Sequence, residues 1–249
     1  MTMIALYTDF GVGDPYVGQL HAVLREHAPE VPVIDLLHQV PPFGIQPGAY
    51  LLPALAGVFS AGTVFLGVVD PGVGGSRESV VLEIDGKWYV GPDNGLFAVT
   101  LAQGSQNQAW RIRWRPEYLS ESFHGRDLFA PIAAAIARGD FSGLTAAGQP
   151  SDLESGLLAK TWPADLPQVI YIDHYGNAVT GWREAGADTG GKLQIGKHLI
   201  SHARTFSAVV EDQPFWYINS MGLVEIAVNR GSAAELLELR IGAHAGFAG

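Results

Sequence analysis

The chain has 249 residues and no cysteine, which excludes disulfides, thiolate nucleophiles and cysteine-bound zinc. Its formal net charge is −10, from 15 basic and 25 acidic residues, and no run of Lys or Arg suggests a nucleic-acid partner. The first residues lack the pattern of a signal peptide, and no apolar stretch reaches the ~20 residues that span a bilayer. We therefore expect a cytoplasmic protein without a membrane partner.

Strand-like and helix-like patterns alternate along the first 138 residues. Strands are predicted at residues 3–8, 31–36, 63–69, 79–84, 87–90 and 108–114, and helices at residues 15–27, 49–59, 96–101 and 128–138. The alternation predicts an α/β N-terminal domain, in which a mostly parallel sheet is flanked by helices.

The second half of the chain has almost no helical periodicity. Short strands are predicted at residues 169–172, 192–195, 216–218, 223–228 and 235–240. This pattern predicts a smaller all-β antiparallel C-terminal domain. The expected domain limits are 1–148 and 167–249, and the intervening residues 149–166 are expected to form a linker.

Two predicted strands of the first half end in a carboxylate. Asp9 follows the first strand, Asp70 follows the strand at 63–69, and Arg77 returns after a glycine-rich loop. Ligands of open α/β sheets bind at the carboxyl edge of the strands, which makes this edge a candidate site. For Asp70 and Arg77 taken alone, a turn with a surface ion pair is the simpler interpretation.

An oxygen-rich metal site is a weaker alternative at the same edge. Its ligands would be Asp9, Asp14, Asp70, Asp93 and His124. No two of these residues have a paired ligand spacing, and Arg77 would repel a cation, so no metal is expected. His124 taken alone is more simply a helix-capping or surface histidine. The chain also lacks a nucleophile elbow and the Walker and dinucleotide-binding fingerprints.

The second half combines a carboxylate, aromatic rings and an amide near predicted strand ends. Asp173 and Asn177 flank one turn, and Phe206 and Tyr217 lie further along the chain. Rings that stack and an amide that reads a base edge suit a purine. Turns and core aromatics of an ordinary β domain are the alternative, which we favour for Trp216 and Tyr217.

Seven motifs in order resemble the S-adenosyl-L-methionine (SAM) hydroxide adenosyltransferases, relatives of the fluorinating and chlorinating enzymes. The motifs are Tyr7-Thr-Asp-Phe-Gly11, Val68-Val-Asp-Pro-Gly-Val-Gly74 with Arg77, Gly91-Pro-Asp-Asn-Gly95, Phe123-His-Gly-Arg-Asp127, Asp173-His-Tyr-Gly-Asn177, Tyr217-Ile-Asn-Ser220 and Asn229-Arg-Gly231. Each motif is weak, but together they cover nearly the whole chain.

The resemblance implies an enzyme that hydrolyses SAM to adenosine and L-methionine by in-line attack of activated water on the ribose C5′. The water-activating residues would be Asp70, Arg77 and His124. SAM is the substrate, so no cofactor is expected. The resemblance also implies a homotrimer, with each site between the N-terminal domain of one subunit and the C-terminal domain of its neighbour.

The resemblance implies a binding role for seven further residues. Asp9 would hold the ribose hydroxyls, Phe43 would line the ribose and sulfonium region, Asp173 would bind the methionine amine, Asn177 the adenine edge, Tyr175 and Phe206 the adenine faces, and Ser220 the methionine carboxylate. Halogenating relatives often carry Arg after that serine. Met221 stands there in this chain, so backbone N–H groups are expected to contribute more to binding the carboxylate.

Three alternatives to hydrolysis stay open. The first is halide-dependent adenosyl transfer that forms a 5′-halo-5′-deoxyadenosine. The halogenating enzymes lack the Asp–Arg–His set, so its presence favours water as the nucleophile. The second is a non-catalytic sensor of adenosine or SAM, and the third is a metal-dependent hydrolase.

Overall fold

The structure is a computed structural model that describes residues 2–248. Within that range, no helix is both long enough and apolar enough to cross a bilayer. The described residues form two compact units. Unit 1 runs up to Leu52 and continues over Val58–Trp162, and unit 2 holds Pro53–Gly57 and the chain from Pro163 onward.

Unit 1 is built on a seven-stranded sheet with the strand order β2-β1-β3-β5-β4-β6-β7. The strands are β1 (Ile4–Thr8), β2 (Val33–Leu37), β3 (Val64–Val68), β4 (Ser79–Ile84), β5 (Lys87–Pro92), β6 (Asn107–Ile112) and β7 (Leu144–Ala146). The α-helices are α1 (Pro15–His27), α2 (Ile45–Ala56), α3 (Ala98–Gln103), α4 (Ala130–Ala137) and α5 (Glu154–Thr161), and only the end of α2, from Pro53, groups with unit 2. Neighbouring strands from β2 to β5 pair in parallel, and β4, β6 and β7 pair antiparallel. The predicted α/β domain is confirmed.

Strands β1 and β3 are buried along their whole length. On one face of the sheet, Ile4 and Leu66 share a hydrophobic core with Leu20 of α1 and Ile132 of α4. Because side chains alternate between the faces of a strand, Phe65 points the other way and stacks on another aromatic ring. Both faces of these strands are covered, so the polar groups that follow them lie at the edge of a rigid frame.

Unit 2 contains two antiparallel sheets. Its strands are β8 (Leu166–Ile172), β9 (Ala178–Arg183), β10 (Lys192–Ile195), β11 (His198–Ser201), β12 (Pro214–Ile218), β13 (Leu223–Val228) and β14 (Ala245–Phe247). The four-stranded sheet has the order β12-β13-β9-β8, and the three-stranded sheet has the order β11-β10-β14. The predicted antiparallel all-β character of this part is confirmed.

The strand predicted at residues 235–240 is wrong. A short helix, α6 (Ala233–Leu236), occupies the start of that segment. The side chain of Ser232 accepts a hydrogen bond from the Glu235 N–H at 3.1 Å and so caps the helix. A serine followed three residues later by a glutamate is a helix-start signal, and it outweighs the apolar leucines that suggested a strand.

The segment 149–166, predicted as a linker, holds regular structure. A 3₁₀ turn at Pro150–Asp152 leads into α5, and both group with unit 1. The last residue of the segment, Leu166, begins β8. The domain limits of the sequence analysis therefore stay a prediction, and the described structure adds α5 to the first unit.

Asp93, one of the metal ligands considered above, caps α5 from a distant part of the chain. Its carboxylate accepts the N–H groups of Glu154 at 2.8 Å and Ser155 at 2.9 Å. Leu153, the residue that precedes the helix, has an apolar side chain that cannot accept a hydrogen bond from these N–H groups. Asp93 is 6% exposed, so the first-turn N–H groups of α5 would lack a partner without it.

We predict that Asp93→Ala destabilises the protein by about 2 kcal/mol, because two shielded N–H groups lose their acceptor. Urea unfolding followed by circular dichroism measures this change. Asp140→Ala is the matched control, since the exposed Asp140 caps a single N–H group, that of Ser142. Equal unfolding midpoints for the two variants would contradict the capping role of Asp93.

Candidate active site

A buried ion pair lies just beyond the carboxyl end of β3. Arg77 Nε donates to Asp70 Oδ1 at 3.0 Å and to Oδ2 at 3.1 Å, and Arg77 Nη2 donates to Oδ2 at 2.5 Å. Only 4% of the Asp70 side chain and 11% of the Arg77 side chain are exposed. Nη1 donates to Ser79 Oγ at 3.0 Å, and the guanidinium lies 5.2 Å from the centre of the Phe129 ring. These contacts hold the guanidinium in a single orientation.

His124 extends this pair to a third residue. Arg77 Nη2 donates to His124 Nδ1 at 2.8 Å. Because arginine can only donate, Nδ1 is the acceptor, and the proton of the neutral imidazole is on Nε2. Burial and then the charge of Arg77 lower the pKa of His124, while Asp70 acts in the opposite direction. At neutral pH the imidazole is therefore uncharged and presents an Nε2–H donor.

A wide helical turn sets the position of His124. The residue immediately precedes a π-helical turn, Gly125–Phe129, which continues into α4. Gly125 is buried in this turn, and a Cβ atom there would lie 3.2 Å from the ring of Phe10. Turns of this kind recur at functional sites because they displace one residue from the regular helix.

The loop between Asp70 and Arg77 touches the backbone that leads to His124. Gly74 has φ +78°, in the left-handed region, and a Cβ atom there would lie 2.5 Å from the carbonyl oxygen of Glu121. Only glycine fits both the angle and the space. This contact explains why the loop is glycine-rich, and it fixes the distance between the two segments.

Asp9 follows β1, the neighbour of β3 in the sheet. Its Oδ2 accepts the N–H of Phe43 at 2.9 Å. Phe43 has φ 61° and is 74% exposed, so this bond holds an aromatic residue in a strained turn. Burial is the largest influence on Asp9 and raises the pKa of its carboxyl, while the bond from Phe43 opposes the rise.

Four of the predicted site residues of unit 1 line one cavity of about 360 Å³. These residues are Asp9, Phe43, Asp70 and His124. Arg77 lies behind the cavity wall, where it connects Asp70 to His124. The remaining lining is largely aromatic and apolar: Phe10, Tyr16, Val68, Val73, Ser122, Phe123 and Gly125.

Sequence reasoning missed the aromatic part of this wall. The rings of Phe10, Tyr16 and Phe123 contact one another with centroid distances of 5.4–5.8 Å. Phe10 and Phe123 occur inside two of the seven motifs, and this position could have indicated that they belong to the site. Nothing in the local pattern around Tyr16 indicates the contact.

In unit 2, Asp173 organises the loop that carries three of the predicted binding residues. Its Oδ1 accepts the N–H groups of Tyr175 and Asn177, each at 2.9 Å, and its Oδ2 accepts Asn177 Nδ2 at 2.9 Å. The amide orientation of Asn177 follows from the last bond. Asn177 Oδ1 is buried, and among the described atoms it has no hydrogen-bond partner.

All five predicted residues of unit 2 line a second cavity, of about 830 Å³. The lining residues are Asp173, Tyr175, Asn177, Phe206, Tyr217, Asn219, Ser220, Met221, Glu225, Val228, Arg230 and Gly231. Tyr175 is 75% exposed, and Phe206 packs edge-on against Tyr217 with ring centroids 5.5 Å apart. The structure thus presents aromatic surface, amide and carboxylate groups to one space.

Sequence reasoning missed Glu225 and assigned Tyr217 to the core. Glu225 Oε1 accepts the hydroxyl of Tyr217 at 2.6 Å, and Oε2 accepts Asn219 Nδ2 at 2.7 Å. The available signal was a single charged residue inside the otherwise apolar run Leu223–Val228. A buried carboxylate in such a strand is unusual unless it has hydrogen-bond partners.

Backbone N–H groups near Ser220 were expected to bind the methionine carboxylate, but the N–H of Met221 is not available for this. The N–H of Met221 donates to Asn219 Oδ1 at 2.9 Å, so it is engaged within its own turn. Ser220 is exposed at the same turn and lines the cavity.

Comparisons with known proteins cover both units. The SAM hydroxide adenosyltransferase N-terminal domain matches residues 4–145, and the C-terminal domain of that family matches residues 167–245. A protein of Thermus thermophilus named (R)-S-adenosyl-L-methionine hydrolase is 38% identical over 97% of this chain and 98% of its own length. The protein of that name from Salinispora arenicola is 35% identical over 96% of this chain and 95% of its length.

A solved structure of an uncharacterised conserved protein from Thermotoga maritima superposes with a TM-score of 0.83 at 27% identity, covering 99% of this chain and all of that chain. Fluorinases are more distant relatives, with 25–26% identity. Both family domains match in order and together span most of the sequence. The chain therefore belongs to the SAM hydroxide adenosyltransferase family.

Proposed function

We propose that the protein hydrolyses SAM to adenosine and L-methionine. The observation that carries this proposal is the buried chain Asp70–Arg77–His124, two of whose members open onto the cavity that Asp9 also lines. Hydrolases among the relatives of this family support the reaction. We propose that the reaction needs no cofactor and that the protein has no nucleic-acid or membrane partner. We also propose that it acts in the cytoplasm.

The reaction is an in-line displacement at the ribose C5′. The oxygen of a water molecule forms a bond to C5′ while the C5′–S bond breaks, and the electron pair of that bond passes to sulfur. The sulfonium leaves as neutral methionine, so the substrate needs no acid to assist departure. The protein has to align the water opposite the sulfur and remove its proton.

We assign the proton-accepting role to Asp70 and the orienting role to His124. The Nδ1 lone pair of His124 is engaged by Arg77, so its cavity side offers an Nε2–H donor rather than a base. Asp70 Oδ1 accepts only one of the three bonds from Arg77, which leaves it capacity to accept the proton. Water bonded to C5′ becomes strongly acidic as the new bond forms, so a carboxylate is a sufficient base. Arg77 fixes both groups.

The binding roles proposed for unit 1 follow its cavity. Asp9 holds the ribose hydroxyls, because its carboxylate offers acceptor sites beyond the one that Phe43 uses. Phe43 covers the ribose and sulfonium region from its exposed turn. The aromatic wall completes a low-polarity surrounding, which favours loss of the positive charge on sulfur as the reaction proceeds.

The binding roles proposed for unit 2 follow the larger cavity. Asn177 Oδ1 accepts the exocyclic amine of adenine, which would give this orphaned oxygen a partner. Tyr175 and Phe206 stack on the adenine faces, Asp173 binds the methionine amine, and Ser220 binds the carboxylate.

We further propose two working domains, 1–148 and 167–249, joined by 149–166, in a homotrimer whose sites combine cavities of neighbouring subunits. The ten proposed site residues divide equally between the units, five in each, which supports this arrangement. Light scattering should give roughly three times the chain mass of 26.6 kDa, and a monomer would contradict the proposal. We also extend to this chain the (R) configuration at sulfur that its relatives' names carry.

Product analysis in H₂¹⁸O with added chloride tests the reaction. We expect adenosine that carries ¹⁸O at its 5′ oxygen, unlabelled methionine and no chlorinated nucleoside, because water is the nucleophile at C5′. In a mixture of sulfur epimers, the (R) form should disappear first. A 5′-chloro product, or tight adenosine binding without turnover, would support the halide or sensor alternative.

Asp70→Asn should lower kcat by roughly a hundredfold or more, because the amide cannot take the proton. Steady-state adenosine formation measures kcat, and calorimetry should show SAM affinity changed by much less. Glu78→Gln is the matched control, since Glu78 is on the same loop and pairs weakly with Arg111 at 3.8 Å. Equal rates in the two variants would remove Asp70 from the reaction.

The pH profile of kcat/KM should have an acid limb below the ordinary histidine pKa of 6.5, because burial and Arg77 lower the pKa of His124. Protonation of His124 at Nδ1 would place two N–H donors opposite each other and so break the hydrogen bond from Arg77. His124→Asn keeps an acceptor near the Nδ1 position but does not titrate, so this limb should shift or flatten relative to the wild type. Asp9 also titrates on the acid side, which is why the comparison with the variant decides. Identical acid limbs would contradict the assignment.

A further inference from the structure

A chain of hydrogen bonds in unit 1 leads from the protein surface to the loop that carries Asp9. It begins at Asp35 on β2, whose side chain is half exposed. His38 Nε2 lies 3.1 Å from Asp35 Oδ1, and His38 Nδ1 lies 2.8 Å from Thr8 Oγ1. Thr8 Oγ1 also accepts the backbone N–H of Phe10 at 3.2 Å. The proposed function has given no role to Asp35, His38 or Thr8.

The two ends of this chain fix which group donates and which accepts. Burial raises the pKa of Asp35, but the hydrogen bonds from His38 and His21 outweigh burial and hold that pKa below its usual range. The ionised carboxylate can only accept, so the His38 proton is on Nε2 and the ring presents a lone pair at Nδ1. Thr8 donates its hydroxyl to that lone pair, and its oxygen accepts the N–H of Phe10. Every group along the chain then has a partner.

A hydroxyl, an imidazole and a carboxylate in a row are also the groups of a nucleophilic triad, but burial excludes that role here. Thr8 is 0% exposed and His38 is 5% exposed, so no substrate can reach the hydroxyl. A buried hydroxyl whose donor and acceptor sites are both used by the protein holds structure in place. We therefore asked which structure it holds.

The chain holds the backbone on both sides of Asp9. Thr8, the residue before it, is bonded to the His38 ring, and the N–H of Phe10, the residue after it, is bonded to Thr8. The carbonyl oxygen of His38 also accepts the N–H of Gly11 at 2.7 Å. One buried residue thus restrains the loop through its ring and through its backbone.

A fixed backbone matters at this position because Asp9 lines the cavity of unit 1. Hydrogen bonds between a carboxylate and hydroxyl groups are short and directional, so a small displacement of the carboxylate weakens them. A ligand without hydroxyl groups at this place would not register such a displacement. The loop restraint therefore bears on the recognition of the ribose.

We propose that Thr8, His38 and Asp35 are positioning residues of the nucleoside site. Through the bonds described above, they hold the Asp9 carboxylate where it accepts the two ribose hydroxyls. This inference rests on the proposed function and on the binding role that it gives to Asp9. None of the three residues lines the cavity, so their effect on the ligand passes through Asp9.

The test compares two nucleosides that differ only in these hydroxyls, adenosine and 2′,3′-dideoxyadenosine. Calorimetry on the whole chain gives a dissociation constant for each, without any need for turnover. The wild type should bind adenosine about tenfold more tightly or better, because it alone offers hydroxyls to Asp9. Thr8→Val removes the hydroxyl with little change of shape, and it should weaken adenosine binding roughly five- to twentyfold. Binding of dideoxyadenosine should change by less than about twofold.

Three further variants separate positioning from general damage. Thr8→Ser keeps the hydroxyl and should bind both nucleosides as the wild type does. Asp35→Ala acts at the exposed end of the chain, where folding is least at risk, and should weaken adenosine binding selectively by roughly two- to fivefold. His21→Ala is its matched control, because His21 Nε2 lies 2.7 Å from the same Asp35 oxygen but is not on the path to Thr8. It should keep the preference for adenosine.

Equal weakening of both nucleosides, or no weakening of either, in Thr8→Val or in Asp35→Ala would overturn the proposal. If Thr8→Val does not fold, the comparison of Asp35→Ala with His21→Ala decides. A wild type that binds the two nucleosides equally would overturn the ribose role of Asp9 and this proposal with it. Failure of the hydrolase function would look different, since the wild type would then prefer adenosine but form none from SAM.

Discussion

The structure of the candidate site depends on one desolvated ion pair, Asp70 with Arg77. Removing both charges from water is costly, and the cost is offset only where geometry and additional hydrogen bonds are good. The surrounding fold meets that condition: the pair lies at the carboxyl end of a fully buried strand, and Ser79 and His124 accept further hydrogen bonds from the guanidinium. Arg77 acts as a fixed scaffold that gives the imidazole its tautomer and leaves the carboxylate facing the cavity.

The two cavities have different electrostatic character. The cavity of unit 1 is lined by Asp9, by Asp70, whose charge Arg77 balances, and by an aromatic wall that suits a reaction in which positive charge disappears. The cavity of unit 2 presents acceptors and uncompensated negative charge, which suits recognition of a cationic substrate. The net charge of −10 over the whole chain agrees in sign with such a substrate, although only the local carboxylates give specificity.

Local sequence patterns were sufficient for the features that depend on neighbouring residues. The apolar strands that end in Asp9 and Asp70 predicted the α/β sheet and its functional edge, because parallel strands deliver their carboxyl ends to one side. Contacts between distant segments could not be predicted in this way. Asp93 resembled a sheet-edge ligand but caps a helix that begins 61 residues later, inside a segment predicted as a linker. Glu225 looked like one residue of an ordinary strand, since its hydrogen bonds appear only when β12 pairs with β13.

The π-helical turn at Gly125–Phe129 affects how this scaffold can diverge. Such a turn contains one residue more than an α-helical turn, and it separates His124 from a helix whose packing on the sheet is fixed. Loss of a single residue here would leave the helix in register and rotate the preceding position by about 100° around the axis. Deletion, as well as substitution, is thus a route by which a relative can lose the imidazole from its water site. Alignments that place gaps near this turn have to be checked against coordinates before residues are equated.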